Sequence, residues 1–136
     1  MGTTEAATSQ HLLLFRGLDW DKHVAPDELQ QAMQKFVGWF DELKAQGKAI
    51  TGQPLVSEGK VISGSKGHTV ADGPFAESKE AVGGYFLLQV ASLDEALEIA
   101  KQCPTLEYGA VVEVRPIAAD CPALERAHAL LAGIHA

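Results

Sequence analysis

The stretch from His68 to Ala91 constrains the fold of this chain more than any other part of the sequence. It contains two strand-like runs that are separated by a DGPF turn, Asp72–Phe75. Gly73 permits a positive φ, and Pro74 fixes its own φ while holding the residue before it in an extended shape. The Asp72 carboxylate is therefore held in one backbone geometry. That geometry suits a binding or catalytic residue, and it equally suits an Asx-type turn.

The second run, from Tyr85 to Ala91, predicts a strand with two different faces. Side chains of a strand alternate between its faces, so Phe86, Leu88 and Val90 form a uniformly apolar face. The other face of the same strand is mixed. By the same alternation, we expect one mixed face to carry residues from three strands: Leu12, Leu14, Arg16, Tyr85, Leu87, Gln89, Ala91, Glu113 and Arg115.

Two amphipathic segments predict helices that cover the apolar face. The first runs from about Asp27 to Gln46, with Gly47 after its end. Its apolar stripe recurs at three- and four-residue steps and comprises Leu29, Ala32, Met33, Phe36, Val37, Phe40 and Leu43. The second runs from Leu93 to about Gln102 behind a capping box, Ser92 to Glu95. We expect its buried side to comprise Leu93, Ala96, Leu97 and Ala100.

The order of these elements predicts an α+β fold. It reads strand, helix, strand, hairpin, strand, helix, strand, which is the ferredoxin-like split-βαβ arrangement. The second strand is expected to be short, Ala49–Gly52, with a turn at Gln53-Pro54 after it. Right-handed crossovers place both helices on one side of the sheet, so its mixed face has no helix of its own. A second copy packed face to face would cover that surface and enclose a polar-lined cavity, which predicts a homodimer.

Length and composition limit the classes of function. A chain of 136 residues suits one domain, and its net charge of −7 argues against nucleic acid or an anionic membrane as the partner. The only cysteines, Cys103 and Cys121, predict reduced thiols in a cytoplasmic protein. The five histidines show no metal-ligand spacing, so we expect no metal and no cofactor. We expect residues 1–10 to be a disordered tail, residues 11–117 the domain, and residues 118–136 a tail with a short helix from Leu124 to Leu131.

Several motifs together resemble the YCII-related family, in its DGPF-domain form. They include HLLLFRG at His11–Gly17, TGQPL at Thr51–Leu55, DGPFAESKE at Asp72–Glu80, GGYFLLQV at Gly83–Val90 and VEVRPI at Val112–Ile117. The resemblance implies a ferredoxin-like fold that dimerises into an α+β barrel, in a cytoplasmic bacterial protein. This sequence departs from the family pattern at one position. Shorter members carry a histidine in the first helix that is paired with an aspartate, whereas Phe36 stands at that helix position here, so the pair is not expected in this chain.

The candidate site combines the DGPF turn with the mixed face. Asp72 is the candidate general base or anchor. The candidate ligand-binding residues are Arg16, Gly73, Pro74, Phe75, Tyr85, Gln89, Glu113 and Arg115. The alternative is that Asp72 only caps the turn, while Arg16 and Glu113 form a plain ion pair.

Two functions from different classes remain open at the level of the sequence. The first is a protein that binds or transforms a small molecule in the cavity between two copies, with Asp72 in the site. The second follows from the resemblance alone, since DGPF-type domains resemble partners of extracytoplasmic-function sigma factors. In that case the chain would be a non-catalytic regulatory or accessory module. A gene neighbourhood separates the two, because a sigma-factor gene favours the second and a catabolic cluster favours the first.

Overall fold

The computed structural model describes residues 8–17, 19–73 and 81–134. The main elements follow the predicted order and end in a third helix. In chain order they are β1 (Ser9–Arg16), α1 (Pro26–Ala45), β2 (Ala49–Pro54), β3 (Lys60–Ser63), β4 (Thr69–Asp72), β5 (Gly84–Val90), α2 (Leu93–Ala100), β6 (Val111–Pro116) and α3 (Pro122–Ile134). None of the helices in these ranges is long and apolar enough to cross a membrane.

Four of the strands form one antiparallel sheet in the order β2-β5-β1-β6. Strands β1 and β2 flank β5, and β5 and β6 flank β1, so each βαβ unit contributes one strand to the middle of the other. The buried core contains Leu43 of α1 and Ala96 of α2 together with Phe86 and Leu88 of β5. Both helices therefore cover the same side of the sheet, which confirms the α+β, ferredoxin-like prediction.

An aromatic cluster fills the space between α1 and the sheet. Phe86 lies at its centre, with ring centroids 4.4 Å from Phe40, 4.7 Å from Phe15, 5.2 Å from Trp39 and 5.4 Å from Phe36. Several of the pairs are T-shaped, an arrangement that aromatic rings prefer over direct stacking. The cluster confirms that Phe36, Phe40 and Leu43 of the predicted stripe face the sheet. Met33 and Val37 are exposed, so the stripe is wider than the buried face of α1.

Two glycines near this cluster give a matched test of the packing. A Cβ on Gly52 would lie 2.6 Å from Phe86 Cδ1 and 2.9 Å from the Tyr85 carbonyl oxygen, whereas a Cβ on Gly38 of α1 meets nothing within 4 Å. We expect Gly52→Ala to lower the free energy of unfolding by about 1–3 kcal/mol through overpacking. Gly38→Ala should raise it by about 0.5–1 kcal/mol, because alanine is the better helix former. Denaturant unfolding measures both, and equal effects of the two substitutions would contradict the packing.

The predicted capping box is present at the start of α2. The Glu95 N–H donates to Ser92 Oγ at 3.1 Å, and Glu95 Oε1 accepts from the Ala91 N–H at 2.8 Å. That backbone bond, with a smaller contribution from Lys48, lowers the pKa of Glu95 against the opposing effect of burial. The predicted buried side of α2 is wrong in part, since Leu93 and Leu97 are exposed and Ile99 is buried with Ala96 and Ala100.

Several boundaries differ from the sequence predictions. Strand β2 continues through Gln53 and Pro54, which the sequence indicated as a turn, because Gln53 and Pro54 pair with Tyr85 and Gly84 of β5. Strand β1 begins at Ser9, so two residues of the predicted N-terminal tail belong to the sheet. Helix α2 ends at Ala100 rather than near Gln102, since the chain leaves the helix before Pro104.

Two segments extend away from the packed body. The β3-β4 hairpin forms its own two-stranded sheet, and all eight of its strand residues are exposed. Helix α3 is exposed at every position from Pro122 to Gly133, with Leu124, Leu130 and Leu131 more than half accessible to solvent. The sequence predicted a helix from Leu124 to Leu131, and the structure extends it by several residues at the ends.

Candidate functional site

The side of the sheet away from α1 and α2 carries the predicted mixed face, which is called the open face below. Cross-strand pairs share a face, and the register aligns Leu14 with both Tyr85 and Glu113, and Leu12 with both Leu87 and Arg115. The outward residues of the three strands are Gln10, Leu12, Leu14, Arg16, Tyr85, Leu87, Gln89, Val111, Glu113 and Arg115. The register therefore confirms that these strand residues share one face. Ala91 lies beyond the end of β5.

Three charged residues meet at one edge of the open face. Arg16 Nη1 donates to Glu113 Oε1 at 2.8 Å, and Arg115 Nη1 lies 3.7 Å from Glu113 Oε2. The Arg16 and Glu113 side chains are 26% and 32% exposed, whereas Arg115 is 68% exposed. We call these three residues the Arg–Glu–Arg cluster. One carboxylate between two guanidinium groups leaves the cluster with a formal charge of +1.

The polar residues of β5 are divided between the two ends of the face. Tyr85 is half-buried beside Leu14, in the same cross-strand row as Glu113. Gln89 pairs with Gln10 and donates to Thr8 Oγ1 at 2.9 Å. Gln10 and Arg16 are six positions apart on β1, which corresponds to roughly 20 Å along a strand. The structure therefore places Tyr85 in the same cross-strand row as Glu113, with Leu14 between them, and leaves Gln89 at the far end of the face.

Asp72 lies on the hairpin rather than on the main sheet. It is the last residue of β4, opposite Lys60, the first residue of β3. Its carboxylate forms an exposed ion pair with Lys60 Nζ, and the Asp72 side chain is 74% accessible to solvent. Next to it, Gly73 is buried with φ +148°, and its N–H donates to the Gly59 carbonyl oxygen at 3.0 Å. Pro74 and Phe75 lie outside the described residues.

The hairpin is attached at the Arg16 end of the sheet. The Leu55 N–H, just after β2, donates to the Gly83 carbonyl oxygen at 2.9 Å, and the Gly83 N–H donates to the Phe15 carbonyl oxygen at 2.7 Å. The chain thus leaves the sheet toward the hairpin and returns from it beside Phe15 and Arg16. The Lys60–Asp72 pair lies at the base of the hairpin, which is the end nearer to these connections along the chain.

Three residues near the candidate site were not predicted from the sequence. Lys60 is the partner of Asp72, and only the hairpin register reveals it. Thr51 and Gln53 extend the open face onto β2, because they pair with Leu87 and Tyr85 of β5. The alternation of polar residues at 51 and 53 was the available signal, and the prediction of a turn at Gln53-Pro54 obscured it.

The helix side of the sheet offers no acid–base pair at the position of Phe36. That ring packs against Phe15, Trp39 and Phe86 in the aromatic cluster. Among the described residues, the buried histidine on this side is His11, whose Nδ1 has no hydrogen-bond partner within the same part of the chain. Since His11 precedes Phe15 by four residues on β1, it lies roughly 13 Å along the strand from the residue that Phe36 contacts. It therefore does not replace an imidazole at Phe36.

Comparison with known proteins places the chain in a family and reveals distant structural likenesses. An uncharacterised protein of Rhizobium meliloti (strain 1021) is 46% identical over 56 residues, which cover 40% of this chain and 45% of that relative. The match thus spans less than half of the relative's length.

The solved structures that are similar share little sequence with this chain. The 5-chloro-2-hydroxyhydroquinone dehydrochlorinase of Burkholderia phenoliruptrix AC1100, in complex with 2,5-dihydroxybenzoquinone, is 18% identical with a TM-score of 0.46, over 80% of this chain and 93% of that one. The hydroxynitrile lyase of Passiflora edulis is 10% identical with a TM-score of 0.36, over 87% of this chain and 100% of that one. At these values the likeness supports no inference about function.

The family model gives the decisive match. The model of the YCII-related domain matches residues 13–120, a range that begins in β1 and ends after β6, and so includes the hairpin and most of the open face. The chain belongs to the YCII-related domain family.

Proposed function

We propose that this protein binds or transforms a small molecule on the open face, in a cavity that closes when two copies pack together. The observation that carries the proposal is the Arg–Glu–Arg cluster, in which Arg16 and Glu113 are half-buried beside Leu14, on a face that no helix of the described residues covers. Ionisable groups that are partly withdrawn from water persist where they are paired or used. A surface that served only as a dimer contact would not need three of them.

Asp72 is the proposed general base or anchor of this site. Gly73 lies in the left-handed region of φ, and the bond from its N–H to Gly59 holds the backbone beside the carboxylate. A fixed carboxylate meets the positional requirement of a general base. The chain connections that join the hairpin to the Arg16 end of the sheet support the proposal that Asp72 and the open face act on one ligand.

A homodimer is part of this proposal. Leu12, Leu14 and Leu87 are half-buried in one chain, and α1 and α2 lie on the opposite side of the sheet. A second copy would remove these leucines from water, and a standard interface of about 800 Å² per partner is within the size of such a sheet. The proposed setting is the bacterial cytoplasm, which agrees with Cys103 and Cys121 both being free thiols.

We expect light scattering at micromolar concentration to give the mass of a dimer, and Leu87→Glu to give that of a monomer. The substitution would place an unpaired charge in an apolar contact, which costs far more than a single apolar interaction contributes. Leu93→Glu is the matched control, because Leu93 is exposed on α2, on the other side of the sheet. A stable monomer of the parent chain, or dissociation by both substitutions alike, would contradict the proposed interface.

The small-molecule role itself is tested by screening a fragment library against the isotope-labelled protein. We expect a subset of fragments to shift backbone amides of β1, β5 and β6 around Leu14, Tyr85 and Glu113. Fragments that shift only α3 or the outer surfaces of α1 and α2 would argue against a site on the open face.

A second function is favoured by helix α3. A 13-residue helix has little stability of its own in water, and α3 exposes Leu124, Leu130 and Leu131 rather than packing them. Such a helix suits a surface that docks onto another protein, as an accessory module of an extracytoplasmic-function sigma-factor system would require. A sigma-factor gene adjacent to the gene for this chain, together with co-purification of the two products, would support that role.

A further inference from the structure

We propose that the open face takes a small monocarboxylate, and that Arg115 receives the ligand's carboxylate beside Glu113. This inference rests on the proposed function and specifies its ligand class. It follows from the charge, the exposure and the spacing of the residues around Leu14.

The local charge of the open face favours an anion. Among the outward residues of the four strands, all of which are described, Glu113 is the one carboxylate, and it is flanked by the guanidinium groups of Arg16 and Arg115. The chain as a whole carries a net charge of −7. The positive charge of the Arg–Glu–Arg cluster is therefore opposite in sign to the net charge of the chain. It would attract an anionic group to this part of the open face.

Arg115 is the residue best placed to receive the anion. Its contact with Glu113 is long, 3.7 Å, and its side chain is 68% exposed. A guanidinium group presents five N–H donors in a fork that matches a carboxylate. The contact with Glu113 involves only Nη1 of Arg115, so the fork can accept a second carboxylate without breaking the shorter Arg16–Glu113 bond of 2.8 Å.

The surroundings of the cluster favour an apolar body on that anion. Leu14 lies between Glu113 and Tyr85 in one cross-strand row, and Leu12 lies between Arg115 and Leu87 in the next. Neighbouring strands are about 4.8 Å apart, so the backbones at Glu113 and Tyr85 are separated by roughly 10 Å. A single ring or a short aliphatic chain resting on the two leucines fits this span, with its carboxylate at Arg115. A bare phosphate has no apolar body to contact the two leucines.

The test uses benzoate and its neutral isostere benzamide, titrated separately into the isotope-labelled full-length protein. We expect benzoate to shift amides around Leu12, Leu14 and Arg115, and to bind at least about 10-fold more tightly than benzamide, since a hydrogen bond to a charged group contributes this much. Arg115→Gln should reduce benzoate binding to the level of benzamide. Arg126→Gln, which removes an exposed arginine of α3, is the matched control and should leave both affinities unchanged.

Glu113→Gln is the more decisive variant, because a ligand site and a purely structural ion pair predict different effects on benzoate affinity. Removing the resident carboxylate should tighten benzoate binding and leave benzamide binding unchanged. If the cluster is only a structural ion pair, the substitution alters stability and produces no gain for the anion. Should Glu113→Gln fail to fold, Arg115→Gln still decides the question, because Arg115 is largely exposed.

The remaining outcomes separate this inference from the proposed function. Equal affinities for benzoate and benzamide on the open face would overturn the ligand class and leave the small-molecule site standing. Tighter binding of inorganic phosphate than of benzoate would also overturn it, since phosphate lacks the apolar body. If no fragment of any charge shifts the open face, the proposed function itself fails.

Discussion

Phe86→Ala is expected to lower the free energy of unfolding by about 3–5 kcal/mol, which is the usual cost of truncating a buried aromatic ring. Phe86 is 5% exposed and contacts four other aromatic rings, from β1 and α1. Its loss leaves a cavity between the sheet and α1 that the rigid neighbouring rings cannot fill. Since a domain of this size is stabilised by about 5–15 kcal/mol, the variant should be close to unfolded at moderate temperature.

Denaturant and thermal unfolding measure this effect, and Phe36→Ala is the graded comparison. Phe36 belongs to the same cluster but is only half-buried, so its truncation should cost less than that of Phe86. A loss below about 1 kcal/mol for Phe86→Ala would mean that α1 does not pack on the sheet through these rings. The order of the two losses tests the position of Phe86 at the centre of the cluster.

Asp72→Asn is expected to reduce turnover, or binding of a ligand confirmed at the open face, by about 100-fold or more. Asparagine keeps the shape of the side chain and its ability to accept a hydrogen bond, but it cannot act as a base or carry a negative charge. The fold should be unaffected, because the Asp72–Lys60 pair is exposed and such pairs contribute less than about 1 kcal/mol.

Lys60→Gln is the matched control for this experiment. It removes the same ion pair from the opposite side and leaves the Asp72 carboxylate intact. If Asp72 serves only the hairpin, the two variants should behave alike, with small changes in stability and normal activity. An Asp72→Asn protein that retains full binding and turnover would show that the site assignment is wrong.

Patterns within one strand could be predicted from the sequence, whereas contacts that depend on the register between two strands could not. Alternation along β5 was enough to predict that Phe86, Leu88 and Val90 face the helices, because side-chain direction in a strand has a fixed period. The same rule placed Arg16, Glu113 and Arg115 on the opposite face. The rule did not predict which of them would touch, since that depends on the offset between β1 and β6.

Register also explains what the sequence could not predict about Asp72. The partnership of Asp72 with Lys60 exists because β4 pairs with β3 from Asp72 to Thr69, and no pattern in either strand specifies that offset. Helix α2 shows a second limit. Its apolar residues cover more than one side, so periodicity alone could not decide that Ile99 is buried while Leu93 and Leu97 are exposed. The tertiary packing of α2 on β5 and β6 determines which of these residues are buried.

The attachment of the hairpin at one end of the sheet has a consequence for how this fold can diversify. β2 and β5 are neighbours in the sheet, yet the chain between them makes a long excursion that begins and ends beside Phe15. Doubling the length of such an excursion adds only about 0.6 kcal/mol of closure entropy. Insertions and deletions between Pro54 and Gly84 can therefore accumulate without shifting any strand of the sheet. The length of the hairpin segment can thus change while the pairing of β2 with β5 stays constant.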